Sequence, residues 1–135
     1  MFFPCCGVII LNNDLTKCVL VKTEKNNYGF PKGKRNKGET DIQTALRELN
    51  EETGINENQI EFITENHYEE LSHKQKPSVK YYVAKLISTD KIKFKYDKNE
   101  LDTVDWYNIE DAIKLLTLKN RDNILRSIIN DVTNN

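Results

Sequence analysis

The sequence predicts one α/β domain, a mixed sheet packed by helices, over residues 1–135. Three observations support this. Short β-branched and aromatic runs recur along the chain, one stretch at 40–53 carries helical periodicity with caps at both ends, and two further helical patterns close the chain. A chain of 135 residues is long enough to bury a core without disulfide staples.

Taken in order, residues 6–11 form an apolar run around Gly7-Val8-Ile9-Ile10-Leu11. Asn12-Asn13-Asp14 is a turn signal and 17–22 a second apolar run, so the pair reads as a hairpin. Residues 26–34 read as a loop, because Pro31 and Gly33 argue against regular structure. Residues 40–53 are the clearest helix. Thr40 and Gln43 make a capping box, Ile42, Ala45, Leu46, Leu49 and Thr53 make a buried stripe, and Gly54 is a left-handed cap. Residues 59–68 and 79–88 read as strands, with a polar, basic loop between 71 and 77. Residues 91–96 alternate cleanly, Lys91, Lys93 and Lys95 against Ile92, Phe94 and Tyr96, which predicts a half-buried strand. Residues 104–107 are a short strand, and 109–118 and 122–131 read as helices. There is no internal repeat and no linker composition.

Composition narrows the function classes. Basic and acidic residues nearly cancel, leaving a net charge of -1, so no global basic field exists to hold nucleic acid; DNA is not an expected partner, and RNA would need a local patch. Cys5, Cys6 and Cys18 lack zinc-ligand spacing and read as strand-buried thiols in a reducing compartment. The N-terminus lacks the charged start of a signal peptide and no apolar run approaches a membrane span, so the expected location is cytoplasmic, with no membrane partner.

The chemistry sits between Gly33 and Ile55. Glu48, Glu51 and Glu52 occupy positions i, i+3 and i+4 of one helix, away from its apolar stripe. They repel one another and crowd the helix C-terminus, where the macrodipole already carries partial negative charge. Such a cluster is poorly placed for stability and well placed for a hard divalent cation, although a solvated helix face would use the same residues. Arg47 can orient a glutamate bidentately. Gly33 and Gly38 bracket a loop whose amides can approach phosphate, beside Lys32, Lys34, Arg35 and Lys37.

This segment resembles the Nudix box, Gly-x5-Glu-x7-Arg-Glu-U-x-Glu-Glu-x-Gly-U with U aliphatic. Gly33, Glu39, Arg47, Glu48, Leu49, Glu51, Glu52, Gly54 and Ile55 meet every fixed position. The resemblance implies a Nudix fold, an α/β/α sandwich around a mixed β-sheet. It implies a magnesium or manganese ion on Glu48, Glu51 and Glu52, with Arg47 holding a glutamate and Glu39 supporting the loop or, through water, the metal site. The reaction implied is substitution by water at phosphorus, with Arg47, Glu51, Glu52 and Glu100 as the catalytic set.

Flanking residues bear on the substrate. The segment from Phe30 to Lys34 is similar to that of diadenosine tetraphosphate hydrolases and mRNA-decapping Nudix domains, which makes Lys32 and Lys34 candidate phosphate ligands. Tyr81 looks like the adenine-stacking tyrosine of the dinucleotide hydrolases, though a core aromatic would read the same way. Glu100, six positions before Trp106, resembles the glutamate that serves both families as base or metal ligand. The expected substrate is diadenosine tetraphosphate, cleaved to ATP and AMP. The alternatives are mRNA decapping or RNA 5′-end hydrolysis, a diphosphoinositol polyphosphate, and a non-catalytic nucleotide-binding module.

Overall fold

The computed structural model describes residues 3–87 and 91–134. Eight strands and three helices follow one another as β1 (Cys5–Leu11), β2 (Lys17–Lys22), β3 (Tyr28–Gly29), β4 (Lys32–Lys34), α1 (Asp41–Thr53), β5 (Ile60–Phe62), β6 (Tyr68–Leu71), β7 (Pro77–Leu86), β8 (Thr103–Asn108), α2 (Ile109–Leu115) and α3 (Arg121–Thr133). The sheet runs β3-β2-β1-β7-β5, with β4 on β1, β6 on β7 and β8 on β2. Among the described residues, only β1 and β7 pair in parallel, in register from Cys5↔Val79 to Leu11↔Lys85, and the other pairings are antiparallel. The sheet is therefore mixed.

Alternation along β1 explains the layers. Cys6, Val8 and Ile10 pack with Ala45 and Leu49 of α1, whereas Ile9 and Leu11 pack with Ala112, Leu116, Leu125 and Ile128 of the α2–α3 end. A strand buried on both faces reads as an unbroken apolar run, as β1 does. Helix α1 has its capping box at Thr40, its Gly54 cap at φ 82°, and a buried face of Thr44, Ala45, Leu49 and Thr53. The three cysteines are free, and burial pushes the Cys18 thiol up to about 12.

Four sequence expectations need correction. The expected strand at 59–68 is two strands sharing one edge of β7: Ile60 pairs with Leu86 and Tyr68 with Tyr81. Between them a local turn closes through the Asn66 amide on the Thr64 hydroxyl. The expected loop at 26–34 contains two short strands, β3 on β2 and β4 on β1, where Gly7 lets the Pro31 carbonyl and Lys32 come close. The 91–96 alternation is real, with lysines exposed and Ile92, Phe94 and Tyr96 half-buried, but the segment joins no ladder. It crosses the end of α1 instead, where the Lys95 amide donates to the Thr53 carbonyl at 3.0 Å. Helix α2 ends at Leu115 rather than 118, and the chain turns through left-handed Lys119 and Asn120 into α3. Ser88, in the expected 79–88 strand, lies outside the described residues, as do Met1, Phe2 and Asn135.

Candidate active site

Strand β4, the loop 35–40 and helix α1 form one hydrogen-bonded unit. Arg47 is its hub. Its Nε donates to Glu39 Oε2 at 2.7 Å and its Nη2 to Glu39 Oε1 at 3.0 Å and to the Lys34 carbonyl at 2.7 Å. Its Nη1 donates to Glu48 at 2.7 Å and, more loosely, to Glu51 at 3.2 Å. One planar guanidinium thus ties the loop to the helix, which a lysine could not do. Glu39 also accepts from the Asn36 amide and the Thr44 hydroxyl. Together these donors, the Arg47 fork foremost, hold its carboxyl down at about 2.

Glu48 and Glu52 behave in the opposite way. Burial pushes Glu48 up, and the Glu51 charge adds to the rise. Burial likewise pushes Glu52 up to about 7, with the Glu48 and Glu100 charges adding and the Lys32 amide bond opposing. That bond, Lys32 N to Glu52 Oε1 at 2.9 Å, joins β4 to the last turn of α1. Gly33 is required beside it, because a side chain there would run into the Glu48 carboxylate. Glu51 projects into solvent with its side chain 56% exposed. Glu100 is exposed in the turn before β8.

A cavity of about 310 Å³ opens against this unit, lined by Gly29, Phe30, Lys32, Glu52, Lys119 and Arg121 among others. The structure therefore brings Lys32, Glu48, Glu52 and the Glu100 charge into one neighbourhood, with Arg47 behind them. Lys34 contributes its backbone carbonyl to Arg47, while its side chain is exposed. Tyr81 is a correction: it is 0% exposed, its ring packs edge-on against Phe30 at 5.3 Å, and its hydroxyl donates to Glu70 at 3.1 Å. It presents no face for a nucleobase to stack on. It reaches the core because β7 carries it on the α2–α3 side of the sheet.

Among the described residues no three His, Cys, Asp or Glu side chains converge as a preformed metal cluster. The donor set nevertheless suits a hard divalent cation. All three helical glutamates offer oxygens, and burial, with the like charges beside it, lifts Glu48 and Glu52 in a way that a cation would relieve. Sequence reasoning missed Glu70, Arg121, Thr44 and Lys119. Nothing in the local sequence of Arg121 signals a partner 51 positions away.

The sequence model of the NUDIX domain matches residues 1–129. The Schizosaccharomyces pombe mRNA decapping complex subunit 2 is 34% identical over 110 residues, which is 80% of this chain but 14% of that protein. The asymmetrical bis(5′-nucleosyl)-tetraphosphatase of Caenorhabditis elegans is 36% identical over 99 residues, 71% of this chain and 69% of that one. A crystal structure of a C. elegans Ap4A hydrolase binary complex superposes with a TM-score of 0.83 at 25% identity, covering 97% of this chain and 99% of that one. The chain thus spans about a seventh of the decapping subunit and most of the tetraphosphatases.

Proposed function

This chain belongs to the NUDIX domain family, and from that premise we propose that it is a divalent-metal-dependent pyrophosphohydrolase acting on a nucleoside polyphosphate. The observation that carries the reading is the pairing of a half-buried, charge-crowded Glu52 with the Lys32 amide on the wall of a cavity. Residues 1–135 act as one domain in this reading. Glu48, Glu51 and Glu52 would hold a magnesium ion, with manganese as a substitute. Bound there, the ion supplies Lewis-acid polarisation of the substrate's phosphoryl oxygens. Arg47 keeps Glu48 and Glu51 on the correct side of the helix. Lys32 and Lys119, with Lys34 at the edge, supply positive charge for phosphate. Glu100, outside the Arg47 network, is our choice for the base that takes a proton from the attacking water.

Diadenosine tetraphosphate, cleaved to ATP and AMP, is the substrate we favour. The likeness to the tetraphosphatases runs over most of both chains, whereas the likeness to the decapping subunit covers a small part of that protein. RNA 5′-end or cap hydrolysis is the second reading. The 34% identity to the S. pombe subunit and the exposed Lys91, Lys93 and Lys95 support it. A diphosphoinositol phosphate suits the cavity less, since the Arg121 charge there is already paired with Glu70. Among the described residues no helix is long and apolar enough to cross a membrane, and free thiols suit a cytoplasmic setting. Incubation with magnesium and either diadenosine tetraphosphate or capped RNA, with products resolved by chromatography, tests the choice. ATP and AMP in equal amounts support the first reading. Release of m7GDP with the dinucleotide untouched replaces it with the second.

A further inference from the structure

The buried pair of Glu70 and Arg121 lies outside the carboxylate helix, yet it ends at the site. Arg121 is 8% exposed and Glu70 is 1% exposed. Arg121 Nε donates to Glu70 Oε1 at 2.6 Å and Nη2 leans on Oε2 at 3.4 Å. The remaining prong, Nη1, donates to the Tyr28 carbonyl at 3.0 Å. Glu70 accepts a further bond from the Tyr81 hydroxyl, and the Tyr81 ring packs on Phe30. Three elements, β6, β7 and α3, therefore converge on the stretch that runs from Tyr28 through Phe30 to Lys32. Gly29 lies in this stretch, and a methyl there would sit 3.0 Å from Nη1. The guanidinium itself forms part of the wall of the cavity that holds Glu52.

A buried ion pair is weak evidence for stability, because desolvation offsets most of the Coulomb gain and an apolar pair of similar volume often does as well. What an apolar pair cannot supply is the third bond, the fork onto a backbone carbonyl four residues before Lys32. We propose that Arg121, oriented by Glu70 and Tyr81, is a positioning residue that sets the height of the Tyr28–Lys32 segment and so the registry of the Lys32 amide on Glu52. The proposal rests on the pyrophosphohydrolase reading for its catalytic consequence only. Registry errors near one ångström at a reacting centre are worth on the order of a hundredfold in rate.

Two variants of the full chain test it. Glu70→Leu with Arg121→Met removes both charges together, so neither is stranded. Arg121→Lys keeps a cation for Glu70 and loses the fork to Tyr28. For each, amide hydrogen exchange at Lys32 is followed by NMR beside exchange at Ala45 and Leu49 of the buried face of α1, and kcat and KM are measured on diadenosine tetraphosphate with magnesium. The expected result is exchange at Lys32 faster by at least about tenfold with core exchange unchanged, kcat down by a similar factor, and KM within about twofold. Parental exchange at Lys32 in a folded variant overturns the proposal whatever the turnover. A parent chain that hydrolyses no substrate removes the functional reading and leaves the exchange measurement to decide the positioning role. If the double variant does not fold, Arg121→Lys decides in the same way.

Discussion

Replacing Glu52 with glutamine should make the metal-free protein more stable at alkaline pH while removing its turnover. In the folded chain burial, with the Glu48 and Glu100 charges, raises the carboxyl from its ordinary 4.5 to about 7. A raised carboxyl favours the fold in its protonated form. Its contribution is fully present below pH 4.5 and is lost as pH climbs through about 7. At about 1.4 kcal/mol per tenfold change in proton affinity, ionising Glu52 in place costs roughly 3 kcal/mol by pH 8. Glutamine stays neutral at every pH and keeps an oxygen for the Lys32 amide. The variant should therefore match the parent near pH 5 and exceed it at pH 8 by roughly 2–3 kcal/mol, a rise of about 10 °C in Tm. Thermal and urea melts of both proteins in EDTA, from pH 5 to 8, read this directly. Turnover with magnesium should fall by about a thousandfold or more, because a metal oxygen is lost. Melts that stay parallel across this range would refute the burial argument, and near-parental turnover would sink the metal assignment.

Three further outcomes follow from the same geometry. Gly33→Ala drives a methyl into the Glu48 carboxylate; we expect turnover to fall by roughly a hundredfold with the fold retained, and parental kcat in a folded variant would contradict the contact. Glu39 is held at about 2 by the Arg47 fork, so the stability it contributes is present above 4.5 and disappears as pH falls towards 2. In Glu39→Gln the stability deficit seen at pH 7 should therefore narrow at pH 3, which urea melts at the two pH values can show. Tyr81→Phe removes a buried donor to Glu70; it should destabilise the chain by about 1 kcal/mol while KM for nucleotide substrates stays put. Parental stability in the variant would contradict the buried bond to Glu70.

The carboxylate helix was legible from sequence because its signals are local. Thr40, Gln43 and Gly54 act within one turn of where they stand, and the Glu48, Glu51, Glu52 spacing needs only helical geometry. Residues 91–96 show where such reading stops. Alternation reports that one side of an extended segment is covered, and that is true of Ile92, Phe94 and Tyr96, but it does not say whether a ladder partner exists. Tyr81 shows the same limit from the other side. Its neighbours in sequence fix it on a strand, and only the packing of β7 between two layers decides which tyrosine, 81 or 82, faces the deep core. The Glu70–Arg121 pair left no local trace, since the two residues lie on β6 and α3, 51 positions apart.

The parallel pairing of β1 with β7 also orders events during synthesis. Every rung of that ladder closes a loop of roughly seventy residues, whereas the contacts of α1 with its own caps are local. The helix bearing the glutamates leaves the ribosome well before β7, the parallel partner of β1. Until Pro77–Leu86 emerges, β1 has only its hairpin and β4 as neighbours, and until Leu101 and the stretch from Leu118 to Arg121 follow, the cavity wall around Glu52 is incomplete. The cost of burying Glu52 is thus imposed in the last stage of folding, when the final third of the chain arrives. Nascent chains arrested at increasing lengths should gain protease resistance in one step, after β7 and not after α1.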